Sequence, residues 1–189
     1  EVSKVYKKFN KNKFLIEVTH NLSEKSLNER MRYASLQLHR FLPEHFEHTI
    51  DIMKEVIPNM PLGYTNLLFP DYIGVFGLDY HKTSLEALHY FTKYGSSEFA
   101  IREFFKKDFH KTIKQVYKWS EDESHHVRRL ASEGSRPRLP WSFKLDEVIR
   151  NPKHTLPILE NLKEDKEVYV QKSVANHLND ISKENSQIF

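Results

Sequence analysis

An arginine-rich segment in the second half of the chain carries side chains suited to binding or chemistry. Residues 125–142 read HHVRRLASEGSRPRLPWS and hold four of the nine arginines with a single acid, Glu133. Such an excess of guanidinium groups either pairs with carboxylates elsewhere, which is the commoner case, or forms a phosphate-binding patch. Two prolines follow Gly134, so the helix is predicted to end there and to leave Arg136 and Arg138 projecting from a stiff loop.

Two other side chains of this segment have two interpretations each. Glu133 lies four residues after Arg129, and the commoner meaning of this spacing is an ion pair within one helix. Trp141 follows a proline, and a tryptophan there usually anchors a loop on the core. The functional interpretation is an arginine-rich rim of a groove that also bears the tryptophan.

A second polar set occurs in the last predicted helix. Lys172, Asn176 and Asp180 are spaced at i, i+4 and i+8, which predicts one continuous polar face. A solvated helix surface is the commoner meaning of such a face. At an offset of 43 residues, however, Lys172 and Asn176 correspond to Arg129 and Glu133. The two sets would then occupy equivalent positions of one surface.

Composition excludes several classes of protein. The chain has 189 residues, 39% of them hydrophobic, and no cysteine, which excludes disulfide scaffolds, zinc–thiolate sites and cysteine nucleophiles. The sequence contains no glycine-rich phosphate loop, dinucleotide fingerprint or metal-binding motif. No apolar run approaches the roughly 18 residues of a membrane span. We therefore expect no cofactor, no metal and no association with a membrane.

The elements that must position these side chains are predicted to be helices. Only 5 glycines and 8 prolines occur, apolar residues recur at three- and four-residue spacings, and alternating strand patterns are absent. Two helix starts are marked by the S-x-x-E pattern of a capping box, at Ser26 with Glu29 and at Ser120 with Glu123. The fold class is predicted to be all-α.

An internal repeat indicates the architecture. Residues 112–134 match residues 155–177 without a gap, and each copy reads as a helix, a short acidic turn and a second helix. The 43-residue period lies in the range of HEAT and armadillo repeats, which stack into solenoids. We expect one domain over residues 1–189, an α-solenoid of HEAT-like helical hairpins with side-by-side second helices. A loop-rich break is predicted at residues 58–79.

Three strings carry a family resemblance that goes beyond periodicity: HVRRLASEGSRPRLPW, SVANHLNDISKEN and SSEFAIREFF. Together they resemble the HEAT-like-repeat alkylpurine DNA glycosylases of the AlkC/AlkD superfamily, and specifically the AlkC branch. The resemblance runs from about Leu67 to the end of the chain. It implies an enzyme that hydrolyses the N-glycosidic bond of cationic alkylated bases, typically 3-methyladenine, in duplex DNA, while the base stays stacked.

The resemblance also implies roles for particular residues. The carboxylates that face the lesion would be Glu98, Glu133 and Asp180. Trp141 would be the aromatic contact, and the contacts to the DNA backbone would be made by Arg129, Arg136 and Arg138. The repeat places Lys172 and Asn176 on the same predicted binding surface.

The chemistry of such a reaction suits these residue types. An alkylated purine is a cation that leaves as a neutral base, so its departure needs no general acid, unlike ordinary glycoside hydrolysis. A carboxylate would stabilise the developing oxocarbenium ion and orient water. Asp180 is the preferred candidate because it has no cation at i−4, whereas Glu133 has Arg129 and Glu98 has Arg102 four residues away.

A non-catalytic alternative stays open at this point. HEAT-like solenoids are more often binding surfaces for nucleic acid or protein than enzymes. An enzyme requires Glu133 and Asp180 to open into one basic groove with Trp141, whereas a scaffold would leave them scattered or neutralised in ion pairs. For the enzyme we expect a monomer whose partner is double-stranded DNA with alkylated bases, in the cytoplasm and, in a prokaryote, associated with the nucleoid.

Overall fold

The secondary structure is helical throughout the part of the chain that can be described. The computed structural model describes residues 1–184, and within them it contains helices and no strand. The all-α prediction is therefore confirmed. The chain divides into two compact units, Glu1–Ala100 and Ile101–Phe189. The single domain over residues 1–189 stays a prediction, and its last five residues lie outside the described part.

The first unit contains six complete α-helices: α1 (Val2–Val5), α2 (Lys11–Thr19), α3 (Leu27–His39), α4 (Phe46–Val56), α5 (Leu68–Phe76) and α6 (His81–Phe91). Helix α3 packs on α2 and α5, and α4 packs on α1 and α6. The predicted capping box at the start of α3 is confirmed, because Glu29 accepts hydrogen bonds from the amide and hydroxyl of Ser26 at 2.8 and 2.6 Å.

The predicted loop-rich break at residues 58–79 is wrong for much of its length. A short 3-10 helix covers Tyr64–Leu67 and leads directly into α5. Pro70 is compatible with α5 because it lies in the first turn, where its missing N–H has no partner to lose. Gly74 allows close packing, since a Cβ there would lie 3.3 Å from the α-carbon of Ala100. Pro70 and Gly74 thus serve helix start and helix packing.

The second unit contains the repeat. Helix α7 (Glu98–Lys107) crosses into it, and it continues with α8 (Phe109–Trp119), α9 (His125–Gly134), α10 (Asp146–Arg150), α11 (Leu156–Leu162) and α12 (Val168–Glu184). The pairs α8–α9 and α11–α12 are the two predicted hairpins. Their second helices, α9 and α12, pack side by side. The hairpin prediction is therefore confirmed within this unit.

The predicted capping box at Ser120 is wrong. Ser120 is the C-cap of α8, and its hydroxyl donates to the carbonyl of Tyr117 at 2.6 Å. Helix α9 starts later, at His125, with Ser124 as its N-cap. The amide of Ser124 donates to Asp122 Oδ1 at 2.8 Å, so an aspartate turn separates the two helices.

The core of the second unit lies between the paired helices. Val127 and Leu130 of α9 and Val170 and Ile181 of α12 are at most 1% exposed. At the end of α9, a Cβ on Gly134 would lie 2.6 Å from Ile101 Cγ2, so only glycine allows this approach. Within the described residues, no helix is both long enough and apolar enough to cross a membrane.

Candidate functional site

A buried arginine joins the two repeats of the second unit. Arg136 lies two residues after the end of α9 and is 7% exposed. Its Nε and Nη2 donate to the two carboxylate oxygens of Asp180 on α12, at 2.8 and 3.2 Å. Its Nη1 donates to Glu133 Oε1 on α9, at 2.6 Å. One guanidinium therefore holds carboxylates from two successive second helices.

The sequence prediction for Arg136 is wrong in one respect. Arg136 does not project into solvent from a stiff loop, because its guanidinium points inward between two carboxylates. Burial alone would lower the pKa of Arg136, but the hydrogen bonds with Asp180 and Glu133 outweigh this effect and raise it. Arg136 therefore stays charged and serves as the centre of the site.

Asp180 also differs from its prediction. It is 6% exposed and forms a two-pronged ion pair with Arg136, so it is not an unpaired carboxylate. The predicted polar face of α12 divides, since Lys172 and Asn176 are exposed while Asp180 is buried. In a helix of 3.6 residues per turn, Lys172 and Asp180, at i and i+8, lie about 80° apart around the axis. Asp180 therefore faces the packed side of α12.

Glu133 is held by two hydrogen-bond donors and by one further cation. Besides Arg136, it accepts a hydrogen bond from Ser173 Oγ of α12 at 2.6 Å. Arg129 Nη2 lies 3.7 Å from Glu133 Oε1, so the ion pair expected from their spacing is present. Hydrogen bonds to charged groups are the strong ones, and this set leaves Glu133 little freedom to move. The carboxylate is thus preorganised before any ligand arrives.

Sequence reasoning missed Ser173 and His177, which share the buried side of α12 with Asp180. His177 is fully buried, and its Nδ1 lies 2.9 Å from the carbonyl oxygen of Ser132. A carbonyl only accepts, so Nδ1 carries the proton. Burial lowers the pKa of His177 to about 3, and the charges of Arg136 and Arg102 act in the same direction. The spacing of Ser173, His177 and Asp180, at i, i+4 and i+7, was the available signal.

Trp141 follows the buried Arg136 by five residues in the sequence, but its own side chain is exposed, at 87%. It therefore does not anchor its loop on the core. Its backbone has a φ of 63°, in the left-handed region. A bulky residue in that region typically costs on the order of 1–3 kcal/mol, so the surrounding structure must hold it there. A large exposed ring on a strained backbone is typical of a contact surface rather than of packing.

The remaining predicted binding residues lie in three different environments. Arg138 is 44% exposed at its side chain, and its Nε lies 2.8 Å from Glu184 Oε1. Arg129 is 13% exposed, and its guanidinium lies 4.9 Å from the centre of the Tyr169 ring. Lys172 and Asn176 are exposed. Their predicted contacts with DNA stay predictions.

Glu98 lies at the start of α7 in the first unit, and Ser96 Oγ donates to its Oε2 at 2.6 Å. Its predicted role stays a prediction. Arg102, one turn further along α7, is fully buried in the second unit. It donates hydrogen bonds to the backbone carbonyls of Gly134, Arg136 and Phe143. Sequence reasoning missed this function of Arg102, because its acceptors lie 32 to 41 residues away.

The described side chains include no group of three or more His, Asp or Glu residues arranged to hold a metal ion. The arrangement provides instead two carboxylates with one guanidinium between them, and an exposed indole that follows this arginine by five residues in the sequence. Such a set can stabilise positive charge and orient water without moving during the reaction.

Comparisons with known proteins identify the family of the chain. A family model described as "DNA alkylation repair enzyme" matches residues 92–188, which is more than half of the chain. A protein of Bacillus subtilis (strain 168), "Uncharacterized protein YhaZ", is 46% identical over 179 residues, covering 94% of this chain and 50% of that protein.

A solved structure is also similar. It is described as Pseudomonas fluorescens alkylpurine DNA glycosylase AlkC bound to DNA containing an abasic site analog, and it matches with a TM-score of 0.96 and 44% identity. The match covers 99% of this chain and 52% of that one, so the chain spans about half the length of these relatives. The chain therefore belongs to the DNA alkylation repair enzyme family, and its similarity to AlkC supports the AlkC branch of it.

Proposed function

We propose that this protein is a DNA glycosylase that releases cationic alkylated purines of the 3-methyladenine type from duplex DNA. The observation that carries the proposal is the placement of Glu133 and Asp180 around Arg136, in the segment that also exposes Trp141. The solved relative is described as an alkylpurine DNA glycosylase bound to DNA, which supports the same reaction class and the same partner.

The reaction needs no acid from the protein. The C1′–N bond breaks with both electrons going to the base, which leaves as a neutral purine because it began as a cation. Water then adds to C1′ and gives up a proton to the surrounding solvent, so that the products are the abasic sugar, the neutral base and one proton. The deoxyribose carries positive charge while this happens, and a fixed carboxylate nearby lowers the energy of that state. Asp180 is our first candidate for this carboxylate, and Glu133 and Glu98 are the others.

The ion pairs with Arg136 are compatible with this role. A carboxylate has about four acceptor positions, and Arg136 uses one on each oxygen of Asp180. Each oxygen of Asp180 therefore keeps an acceptor position to which a water molecule would donate, and the negative charge of the carboxylate would act on the sugar cation directly. Because Arg136 fixes the orientation in advance, the protein does not have to reorganise as charge develops. Trp141 supplies a ring face that attracts a cationic base or the sugar.

DNA binding would use the more exposed cations of the second unit. Arg138 and Lys172 are placed at the surface, whereas Arg136 is not. We propose that Arg138, Lys172 and Asn176 contact the DNA backbone, together with Arg129. No cofactor enters this scheme, and the enzyme would act as a monomer on DNA in the cytoplasm, next to the nucleoid.

One observation favours a second candidate, a non-catalytic DNA-binding scaffold. Both Glu133 and Asp180 are neutralised in ion pairs, as expected if they only hold the repeats together. The two candidates differ in whether the carboxylates meet a substrate.

The deciding experiment is release of free base. The 189-residue protein is incubated with duplex DNA treated with a methylating agent, and the soluble fraction is analysed by chromatography, with untreated duplex as control. We expect free 3-methyladenine from the treated duplex alone. Binding to both duplexes without release of any methylated base would establish the scaffold and reject the glycosylase.

A further inference from the structure

Arg102 is a fully buried arginine whose hydrogen bonds go to backbone groups. Its Nη1 donates to the carbonyl oxygens of Gly134 and Arg136, at 3.2 and 2.7 Å, and its Nη2 donates to the carbonyl oxygen of Phe143. Its guanidinium carbon also lies 5.3 Å from the centre of the Phe143 ring. Arg102 thus contacts both ends of one segment, residues 134–143, which we call the 134–143 turn.

The 134–143 turn carries two side chains of the proposed site. Arg136 lies near its start and holds Glu133 and Asp180. Trp141 lies near its end, exposed and with a left-handed backbone. A strained residue keeps its conformation only when surrounding contacts fix it. The contacts from Arg102 to Arg136 and Phe143 fix the backbone on either side of Trp141.

A purely space-filling role does not explain an arginine at this position. A buried charge carries a large desolvation penalty that an apolar side chain of similar size would avoid. A guanidinium is, however, planar and rigid and presents several N–H groups in fixed directions. It can therefore bind three carbonyl oxygens at once and hold them in one geometry, which Leu or Met cannot do.

We propose that Arg102 is a positioning residue for the excision reaction: it fixes the 134–143 turn, and through it the place of Trp141 and of the Arg136 guanidinium. This inference rests on the proposed function, since positioning matters for a rate only if the reaction occurs. Arg102 itself acts through Trp141 and Arg136 and does not touch the substrate.

The test compares Arg102→Lys with Arg128→Lys. Arg128 is a matched control because it lies near the start of α9, at the other end of this helix from the 134–143 turn. It also donates to carbonyls, those of Asp122 and Glu123, besides its ion pair with Asp165. Both variants are made in a Trp119→Phe background, so that Trp141 becomes the single tryptophan. Acrylamide quenching of Trp141, kcat and KM for base release, and melting temperature are measured.

We expect Arg102→Lys to change the quenching of Trp141 and to lower kcat at least tenfold with little change in KM. Arg128→Lys should lower the melting temperature but leave the quenching and kcat as in the parent. A folded Arg102→Lys variant with unchanged quenching and with kcat within threefold of the parent would overturn the proposal, as would equal losses of kcat in the two variants.

A surface variant keeps the proposal testable if Arg102→Lys does not fold. Phe143 is 37% exposed, and Phe143→Leu removes the ring next to Arg102 while keeping the carbonyl. We expect a changed quenching of Trp141 and a loss of kcat of about threefold, and no change in either would contradict the proposal. Acrylamide quenching of Trp141 can be measured whether or not the protein releases a base. A parent that releases no base therefore rejects the proposed function, while the quenching data still decide whether Arg102 positions the turn.

Discussion

Each unit of the molecule contains a buried carboxylate bound by an arginine and a serine, and the two groups differ in their arrangement. In the first unit, Asp71 accepts hydrogen bonds from Arg32, at 3.0–3.1 Å, and from Ser35, at 2.6 Å. Arg32 and Ser35 lie on α3 and Asp71 on α5. We call this set the Asp71 group. The Arg136 group of the second unit consists of Arg136, Glu133, Asp180 and Ser173.

The difference concerns the arginine. Arg32 belongs to a helix, is 49% exposed at its side chain and binds Asp71. Arg136 belongs to a turn, is 9% exposed at its side chain and binds two carboxylates from two helices. The Asp71 group ties α3 to α5, whereas the geometry of the Arg136 group depends on a turn that also carries an exposed tryptophan. The same residue types therefore serve packing in one unit and a candidate site in the other.

The largest expected effect is a loss of stability on replacing Arg136, which should exceed the loss on replacing Arg32. Arg136→Met leaves two buried carboxylates without their main partner, and breaking a buried ion pair in this way typically costs about 3–5 kcal/mol. Arg32→Met removes one half-exposed partner from a single buried carboxylate, which keeps its hydrogen bond from Ser35, so the loss should be smaller, about 1–3 kcal/mol. Urea unfolding followed by far-UV circular dichroism measures both losses. Equal losses would show that the two groups do not differ in this respect.

The second prediction compares Asp180 with Asp71 by the effect of each on the rate of base release. Asp180→Asn should lower the rate of 3-methyladenine release by roughly 100- to 1000-fold, the usual effect of losing one preorganised electrostatic contact. Asp71→Asn, the matched change in the first unit, should leave the rate of the folded protein within about threefold of the parent. Single-turnover assays on methylated duplex measure both. If Asp180→Asn stays within about tenfold of the parent, the assignment moves to Glu133.

The third prediction concerns pH. The pKa of His177 is about 3 in the folded protein, against an ordinary value of 6.5, so the unfolded chain binds a proton first as the pH falls. The part of the stability that depends on His177 is therefore present above about pH 6.5 and is lost as the pH falls towards 3, by about 2 kcal/mol at pH 5.

His177→Gln should remove this part of the pH dependence, as measured by urea unfolding between pH 7.5 and 5. His39 of the first unit provides the comparison. Burial also lowers the pKa of His39, but its ring is only partly buried. His39→Gln should therefore change the pH dependence less, and an equal or larger change would contradict the assignment to His177.

The smallest effect is expected for Trp141. Contacts between a cation and an aromatic ring contribute about 0.5–2 kcal/mol, so Trp141→Ala should lower base release by roughly 2- to 30-fold. Because Trp141 is 87% exposed, the free energy of unfolding should change little. Leu62 of the first unit is 79% exposed, and Leu62→Ala should change neither quantity. An unchanged rate for Trp141→Ala would remove the ring from the proposed site.

Sequence patterns predicted the local structure well where three- and four-residue spacings carry the information. The two hairpins at residues 112–134 and 155–177, the capping box at Ser26 and the ion pair of Arg129 with Glu133 are all present. The capping box at Ser120 was wrong, because the same S-x-x-E pattern occurs where a helix ends. The break at 58–79 was wrong because proline and glycine also suit helix starts and close packing.

The amino-acid sequence by itself determined the helical class, the repeat and the residues that share a helix face, since these follow from backbone periodicity. Only the tertiary structure decided the partners of Asp180 and Arg136, which lie 44 residues apart and meet because α9 and α12 pack side by side. It also decided that Arg102 binds carbonyls up to 41 residues away. Burial decides whether a charged side chain must find such a partner, because an unpaired charge in the interior is too costly, and no local pattern specifies where the partner lies.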